Sequence, residues 1–310
     1  MRVGRSAQFV LGSVQLGLPY GAANRTGKPV RETALRLVRR AANAGVTVFD
    51  TARAYGDAEE RLGAALAGRR SVRAVTKLAP LNELAPTASR EMVRAAVDQS
   101  IEQSRIALRA DSLDCLLLHR ASHITAYDGA IWERLQEHVA VGVVRALGVS
   151  VQSPAEAYEA LDQSAVVHIQ LPFNILDWRW REAGVIAALA ARTDVTVHAR
   201  SVFLQGLLAA NDPKLWPNIA GVDAAALVAW LSKSTHTLHR ESVADLALAY
   251  ARGQTWIDGV VVGQETEAQL DENLRLCTLP PLRTPDCEAL EASCPRVPQA
   301  LLDPAQWRSQ

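Results

Sequence analysis

The chain has 310 residues, 49% of them hydrophobic and 21% charged, and its 33 basic side chains balance 33 acidic ones. That size is long for one sandwich and ample for one large α/β barrel, and the composition is that of a soluble globular protein. With no net charge, nothing draws the chain to nucleic acid or an anionic membrane. The amino-terminal stretch MRVGRSAQFVLGSVQLG lacks the apolar run of a leader peptide and no segment is long enough to span a bilayer, so a cytoplasmic address is expected.

In chain order, short β-branched runs that close on polar residues alternate with Ala-, Leu- and Arg-rich amphipathic segments. The first run (9–15, FVLGSVQ) precedes a helical segment at 31–45 that Gly45 is placed to stop. The run at 46–50 leads to a helix at 57–68, that at 71–77 to a long helix at 88–108, and that at 112–119 to one at 128–140. The fifth run (143–150) leads to 153–163, where Ser153 before Pro154 has the form of an N-cap with proline in the first turn. A sixth run (165–171) precedes a helix at 181–192, and a seventh (194–201) precedes a longer loop and helices near 223–234 and 241–252. The eighth (257–263) leads to 266–276, and a last helical piece near 285–293 precedes a Pro-containing tail.

Eight strand–helix units predict the α/β class and a (β/α)8 TIM barrel, one domain over 1–310, rather than an open doubly wound sheet. Runs such as CLLL and GVVV are apolar throughout, as strands covered on both faces are. The four cysteines, Cys115, Cys277, Cys287 and Cys294, form no C-x-x-C pair and are read as reduced thiols. No strand leads into a G-x-G-x-x-G turn, so a bound dinucleotide would not be held by the Rossmann device.

In such barrels the functional face lies at the carboxyl ends of the strands. Those ends read Asp50, Lys77, His119, Ser150, Gln170, Arg200 with Ser201, and Gly263. Taken singly, a terminal lysine is ordinarily a solvated rim residue and a terminal histidine a structural one. Three successive strands ending in Asp, Lys and His converge over one cavity, and Tyr55 follows five residues after Asp50 in VFDTARAYG. Tyrosine is a poor acid near neutrality, with an unperturbed pKa of roughly 10. A neighbouring ammonium stabilises a phenolate, and a carboxylate keeps that ammonium charged and fixed. A histidine across the cavity can orient a carbonyl. Asp50, Tyr55, Lys77 and His119 are therefore the parts of a tyrosine general acid for carbonyl reduction. They include no nucleophile–base pair, and one His with one Asp makes a poor metal site, so no metal is expected.

On these residues the chain resembles the aldo-keto reductases, in their bacterial form, over nearly its full length. The carrying stretches are GVTVFDTARAYGDAEERLG (45–63), AVTK (74–77), LDCLLLHR (113–120), LGVS (147–150), IQLPFN (169–174) and VVVGQETEAQLDENL (260–274). The resemblance implies a (β/α)8 barrel that binds NADPH in an extended pose and reduces an aldehyde or ketone, a small metabolite or keto-sugar, to the alcohol. It implies Tyr55 as proton donor, Lys77 and Asp50 as its activating pair, and His119 as the group orienting the carbonyl. It implies Gly12, Ser13 and Val14 beside the nicotinamide ribose, with Asp50 lining the same site. Ser150 and Gln170 would meet the carboxamide, and Ser201, Val202 and Phe203 the pyrophosphate. Gly263, Gln264, Thr266, Gln269, Glu272 and Asn273 would form the adenosine end.

Two departures stand out. Arg200 occupies the position of the aromatic residue that stacks on the nicotinamide, and a guanidinium plane can stack there too. A fixed cation there is expected to disfavour the oxidised ring. Where relatives carry cations for the 2′-phosphate, this chain has Gly263, Gln264 and Glu265, with Gln269 in the arginine's place. Free amides at the following helix can still bind an anion, so NADPH is expected ahead of NADH. Tyr20, Trp178, Trp180 and Trp216 are candidate walls of the substrate pocket. The same residues would also suit a nucleotide-sensing subunit with negligible turnover, or an epimerase or isomerase using bound nicotinamide transiently. The oligomeric state is left open.

Overall fold

The computed structural model describes residues 6–69 and 71–307; the first five residues of the amino-terminal stretch read above lie outside them. Eight parallel strands among the described residues close into a barrel in sequence order. They are β1 (Gln8–Gly12), β2 (Val48–Asp50), β3 (Arg73–Lys77), β4 (Cys115–Leu118), β5 (Leu147–Ser150), β6 (Val166–Pro172), β7 (Thr196–Arg200) and β8 (Gly259–Gly263). The helices between them follow the expected segments: Arg31–Asn43, Ala58–Leu66, Arg90–Leu108, Ala130–Ala140, Pro154–Leu161, Ala224–Thr237, Val243–Gly253, Glu267–Leu276 and Thr284–Ser293. Ser153 caps the fifth of these, its hydroxyl accepting from the Glu156 amide, with Pro154 in the first turn.

Two expected elements differ. The first strand stops at Gly12 rather than 15, because the chain turns at Ser13 into a short helix, Val14–Gly17. The segment expected as one helix at 181–192 is two pieces, Arg179–Glu182 and Val185–Ala191, separated by Gly184 in the left-handed region (φ 73°).

Strand alternation decides which residues see the barrel interior. Val10, Val48, Val75, Cys115 and Leu117 form the cluster inside the barrel. Their neighbours Leu11 and Phe49 pack outward with Leu37, Val38 and Leu62 of the surrounding helices. Each such buried aliphatic or aromatic side chain contributes about 1.5–3 kcal/mol relative to exposure. Two residues on from the inner cluster, the same period brings Gly12, Asp50, Lys77 and His119 to the inner face at the carboxyl ends. Register agrees: Gly12 stands opposite Asp50 on one side and Gly263 on the other, and Ser150 stands opposite Gln170. No described helix is long and apolar enough to cross a membrane.

The opposite end of the barrel is polar as well. A cavity of about 250 Å³ there is lined by residues that include Gln8, Arg73, Cys115, Thr196 and the imidazoles of His168 and His198. The two rings meet edge to face, 4.3 Å between centroids, and His168 Nε2 and His198 Nδ1 have no hydrogen-bond partner among the described residues. Burial is the first cause that holds both rings neutral, bringing His198 down to about 3 and His168 well below the ordinary value.

The sign of the consequence follows from linkage. Below the unfolded value of about 6.5, the unfolded chain takes up protons that these folded rings refuse, so stability falls as pH drops. Each ring adds a slope of up to about 1.4 kcal/mol per pH unit. Denaturant melts between pH 7 and 5 should show this loss, and His198→Gln should flatten it by about one proton's worth. A pH-independent midpoint over that range would contradict the assignment.

Candidate active site

At the carboxyl ends of the strands, β2 delivers Asp50 and β3 delivers Lys77 to the same inner face. The Lys77 ammonium donates to Asp50 Oδ1 (2.9 Å), Asp50 Oδ2 (2.8 Å) and the Thr51 carbonyl (2.9 Å). The carboxylate faces the ammonium with both oxygens, and Lys77 is fully buried with Asp50 nearly so. Burial opposes the charge on Lys77, but Asp50 beside it outweighs that and holds its pKa above the ordinary lysine value. Gln170 reaches across the barrel from β6 and donates through Nε2 to Asp50 Oδ2 at 2.7 Å.

Tyr55 is held over this pair by its loop. From below, Arg53 bonds Glu59 (2.5 Å), and Glu59, wholly buried, accepts from the Thr76 hydroxyl of β3 (2.6 Å). The Arg53 amide also donates to the Lys77 carbonyl (3.2 Å). From above, Gly17 and Gly56 let two backbones touch: a Cβ on Gly17 would overlap the Tyr55 carbonyl oxygen, and one on Gly56 the Gly17 carbonyl. Gly56 also has a positive φ (56°) that other residues adopt only with strain. The result places the Lys77 ammonium 5.0 Å from the Tyr55 ring centroid. His119 meets the same ring edge to face at 5.8 Å. Burial first, then the charges of Lys77 and Arg200, bring His119 down to about 3, so its imidazole is neutral at physiological pH.

The remaining expected residues lie at or beyond the carboxyl ends of β1, β5, β6, β7 and β8. The Ser13 amide donates to the Asp50 carbonyl (2.9 Å), which fixes Gly12, Ser13 and Val14 above β1. Ser13 Oγ, Gln15 Oε1, Gln170 Oε1 and both side-chain ends of Gln264 are buried without partners among the described residues. These orphaned donors and acceptors run from β1 to β6 and β8, and a nicotinamide dinucleotide, rich in amide, hydroxyl and phosphate groups, fits them. After β7, Ser201 (φ 60°), Leu204 (φ 45°) and Gln205 (φ 59°) are all left-handed, strain of the kind that collects at ligand-binding loops. In that loop Val202 is buried and Phe203 is half-buried. At β8, Gly263 lies against the Gln15 side chain and Thr266 forms a capping box with Gln269. Asn273 is buried, and the exposed Glu272 is paired with Arg275 (3.0 Å).

The model of the Aldo/keto reductase family matches residues 9–294. The chain belongs to that family. It is therefore an oxidoreductase by membership. It is 25% identical over 280 residues to the aldo-keto reductase YhdN of Bacillus subtilis, covering 83% of each chain. A 6-dehydroglucose reductase of Novosphingobium aromaticivorans is 33% identical over 125 residues, which is 38% of this chain and 41% of that one. Among solved structures, the holo form of the aldo-keto reductase AKR11C1 from Bacillus halodurans superposes with a TM-score of 0.76 at 22% identity, covering 94% of this chain and 93% of that one; it shares the fold.

Several contacts of this reductase have no signal in strand-end reading. Arg200 donates to the Val151 carbonyl (3.2 Å) and to Gln152 Oε1 (2.8 Å), both neutral acceptors. Gln152 in turn donates to Asp303 of the carboxyl-terminal tail (3.2 Å), so the tail steadies the cation at the mouth. Of the candidate pocket walls, Tyr20 stands at the mouth, 40% exposed, its hydroxyl accepting from Gln205 (2.9 Å). Trp180 is fully buried on Asp177, Trp216 is buried, and Trp178 lies under the Arg296 guanidinium.

Removing one member of a buried ion pair leaves the other unpaired, at a cost of about 3–5 kcal/mol. Lys77→Met should therefore lower the thermal midpoint markedly, while Asp50→Asn with Lys77→Met should recover part of the loss. Equal midpoints for the wild type and Lys77→Met would contradict the pairing.

Proposed function

We propose that this reductase converts an aldehyde or ketone, a small metabolite or a keto-sugar, to the alcohol, with Tyr55 as the proton donor. The observation that carries the reading is the Asp50-paired Lys77 ammonium facing the Tyr55 ring beside a neutral imidazole. A reduced nicotinamide dinucleotide, when bound, supplies the hydride.

The chain's own residues account for the rest. His119, neutral above about pH 3, is not the general acid but keeps one ring N–H, which donates to the carbonyl oxygen and orients it. Tyr55 then gives its hydroxyl proton to the carbonyl oxygen as that oxygen gains negative charge. Lys77 stabilises the developing phenolate by its positive charge, while Asp50 and the Thr51 carbonyl hold the ammonium in place. Asp50 keeps the ammonium charged, and Gln170 keeps Asp50 in place while offering Oε1 to the carboxamide. Ser13, Ser150 and Gln264 would hold the dinucleotide further along the mouth. Arg200, fixed by neutral acceptors, would lie against the nicotinamide plane. A sugar-like substrate is in keeping with the likeness to the 6-dehydroglucose reductase.

Steady-state reduction of 4-nitrobenzaldehyde and methylglyoxal tests the proposal. Tyr55→Phe should bind the dinucleotide as the wild type does and lose roughly 10²–10⁴-fold in kcat, the range of a general acid; near-wild-type turnover removes the proton-donor role. Arg200→Tyr should raise affinity for the oxidised dinucleotide relative to the reduced one. An unchanged ratio would sink the idea that this cation disfavours the oxidised ring.

A further inference from the structure

We infer that Glu265 makes the adenosine end of this site select NADH over NADPH, by accepting from the ribose diol and repelling a 2′-phosphate. The inference rests on the reading above that a nicotinamide dinucleotide binds in the mouth.

The expectation of NADPH leaned on free amides at the helix that follows β8. In the structure three of the amides at that turn, those of Glu265, Thr266 and Gln269, are engaged within the chain. Gln269 Oε1 accepts from the amides of Glu265 (2.9 Å) and Thr266 (3.2 Å), and the Thr266 hydroxyl accepts from the Gln269 amide (3.2 Å). The capping box that starts the helix thus takes three of the donors a phosphate could have used and leaves the Glu267 and Ala268 amides beside the carboxylates described next. Gln269, standing where an arginine would meet the phosphate, is committed to this cap.

The charges point the same way. Residues 263–273 contain four carboxylates, Glu265, Glu267, Asp271 and Glu272, and no lysine or arginine. The guanidiniums that approach from elsewhere are already paired: Arg36 with Glu267 (2.9 Å) and Arg40 with Asp271 (2.5 Å), while Arg275 holds Glu272 (3.0 Å) and Glu241 (2.7 Å). A phosphate monoester needs charge-assisted donors and would meet like charge here. A ribose diol needs an acceptor, and acidic side chains serve it in other dinucleotide sites. Glu265 is that acceptor. It is 9% exposed, Gln269 Nε2 holds its Oε1 at 3.0 Å, and its Oε2 makes no hydrogen bond among the described residues. Gln264 beside it, fully buried with both amide ends unpartnered, adds neutral contacts suited to hydroxyl and amide groups.

Dissociation constants for NADH and NADPH, measured by calorimetry on the full chain without a carbonyl substrate, test this. The wild type should bind NADH at least about tenfold more tightly, since like-charge juxtaposition costs several kcal/mol. Glu265→Gln, which preserves shape, should bring the two constants together, and Glu265→Ser with Gln269→Arg should favour NADPH. Wild-type NADPH binding as tight as NADH overturns the inference, as does an unchanged ratio in Glu265→Gln with an unaltered thermal midpoint. NADH binding without reduction of any carbonyl removes the proposed activity and leaves this selectivity standing; binding of neither dinucleotide removes both.

Discussion

The bond between Lys77 and Asp50 is the constraint around which the mouth of the barrel is arranged. Withdrawing two charges from water costs several kcal/mol for each ion, and a buried pair is weak evidence for stability on that account. Here the cost is offset by further hydrogen bonds: the Thr51 carbonyl accepts from the ammonium beside the carboxylate, and Gln170 donates to the carboxylate. That arrangement requires β2, β3 and β6 in one closed barrel, with Asp50, Lys77 and Gln170 all on the inner face. Closure of the sheet and assembly of the site are therefore the same event.

The Tyr55 loop answers to the same pair. It is bound below through Arg53, Glu59 and Thr76 and above through the contact of Gly17 with Gly56, so the phenol ring is held near the Lys77 ammonium. At the other end of the mouth the electrostatics reverse. Arg200, on neutral acceptors tied to the tail through Gln152 and Asp303, leaves a cation near the reacting centre, whereas the stretch after β8 is acidic and self-capped.

Much of this was legible in the sequence, for physical reasons. The eight strands could be read because each is a short apolar run bounded by polar residues, and Asp50, Lys77 and His119 stood out because strand ends face the mouth of a parallel barrel. Boundaries fared less well. Ser13 begins a helix whose first turn is set by a hydrogen bond from the Ser13 amide to the Asp50 carbonyl rather than by hydrophobic period, and Gly184 divides what reads as one amphipathic helix. Long-range polar contacts left no local trace: Gln170 meets Asp50 across 120 residues, and Gln152 meets Asp303 across 151. The capping of Thr266 by Gln269 was in principle readable, since a threonine followed three residues later by glutamine is a helix-start signature. Reading Gln269 only as a lost arginine concealed it. Trp180 shows the converse, an aromatic residue that composition offers to a pocket and packing assigns to the core.

The central claim is that this mouth carries a hydride to a carbonyl carbon while Tyr55 protonates the oxygen. The most direct measurement is mass spectrometry of the alcohol formed from 4-nitrobenzaldehyde when the dinucleotide carries deuterium in its transferable position at nicotinamide C4. The account predicts one deuterium on the carbinol carbon, bound there without exchange with solvent. An alcohol with no deuterium, or no alcohol from any aldehyde offered with either dinucleotide, would contradict it.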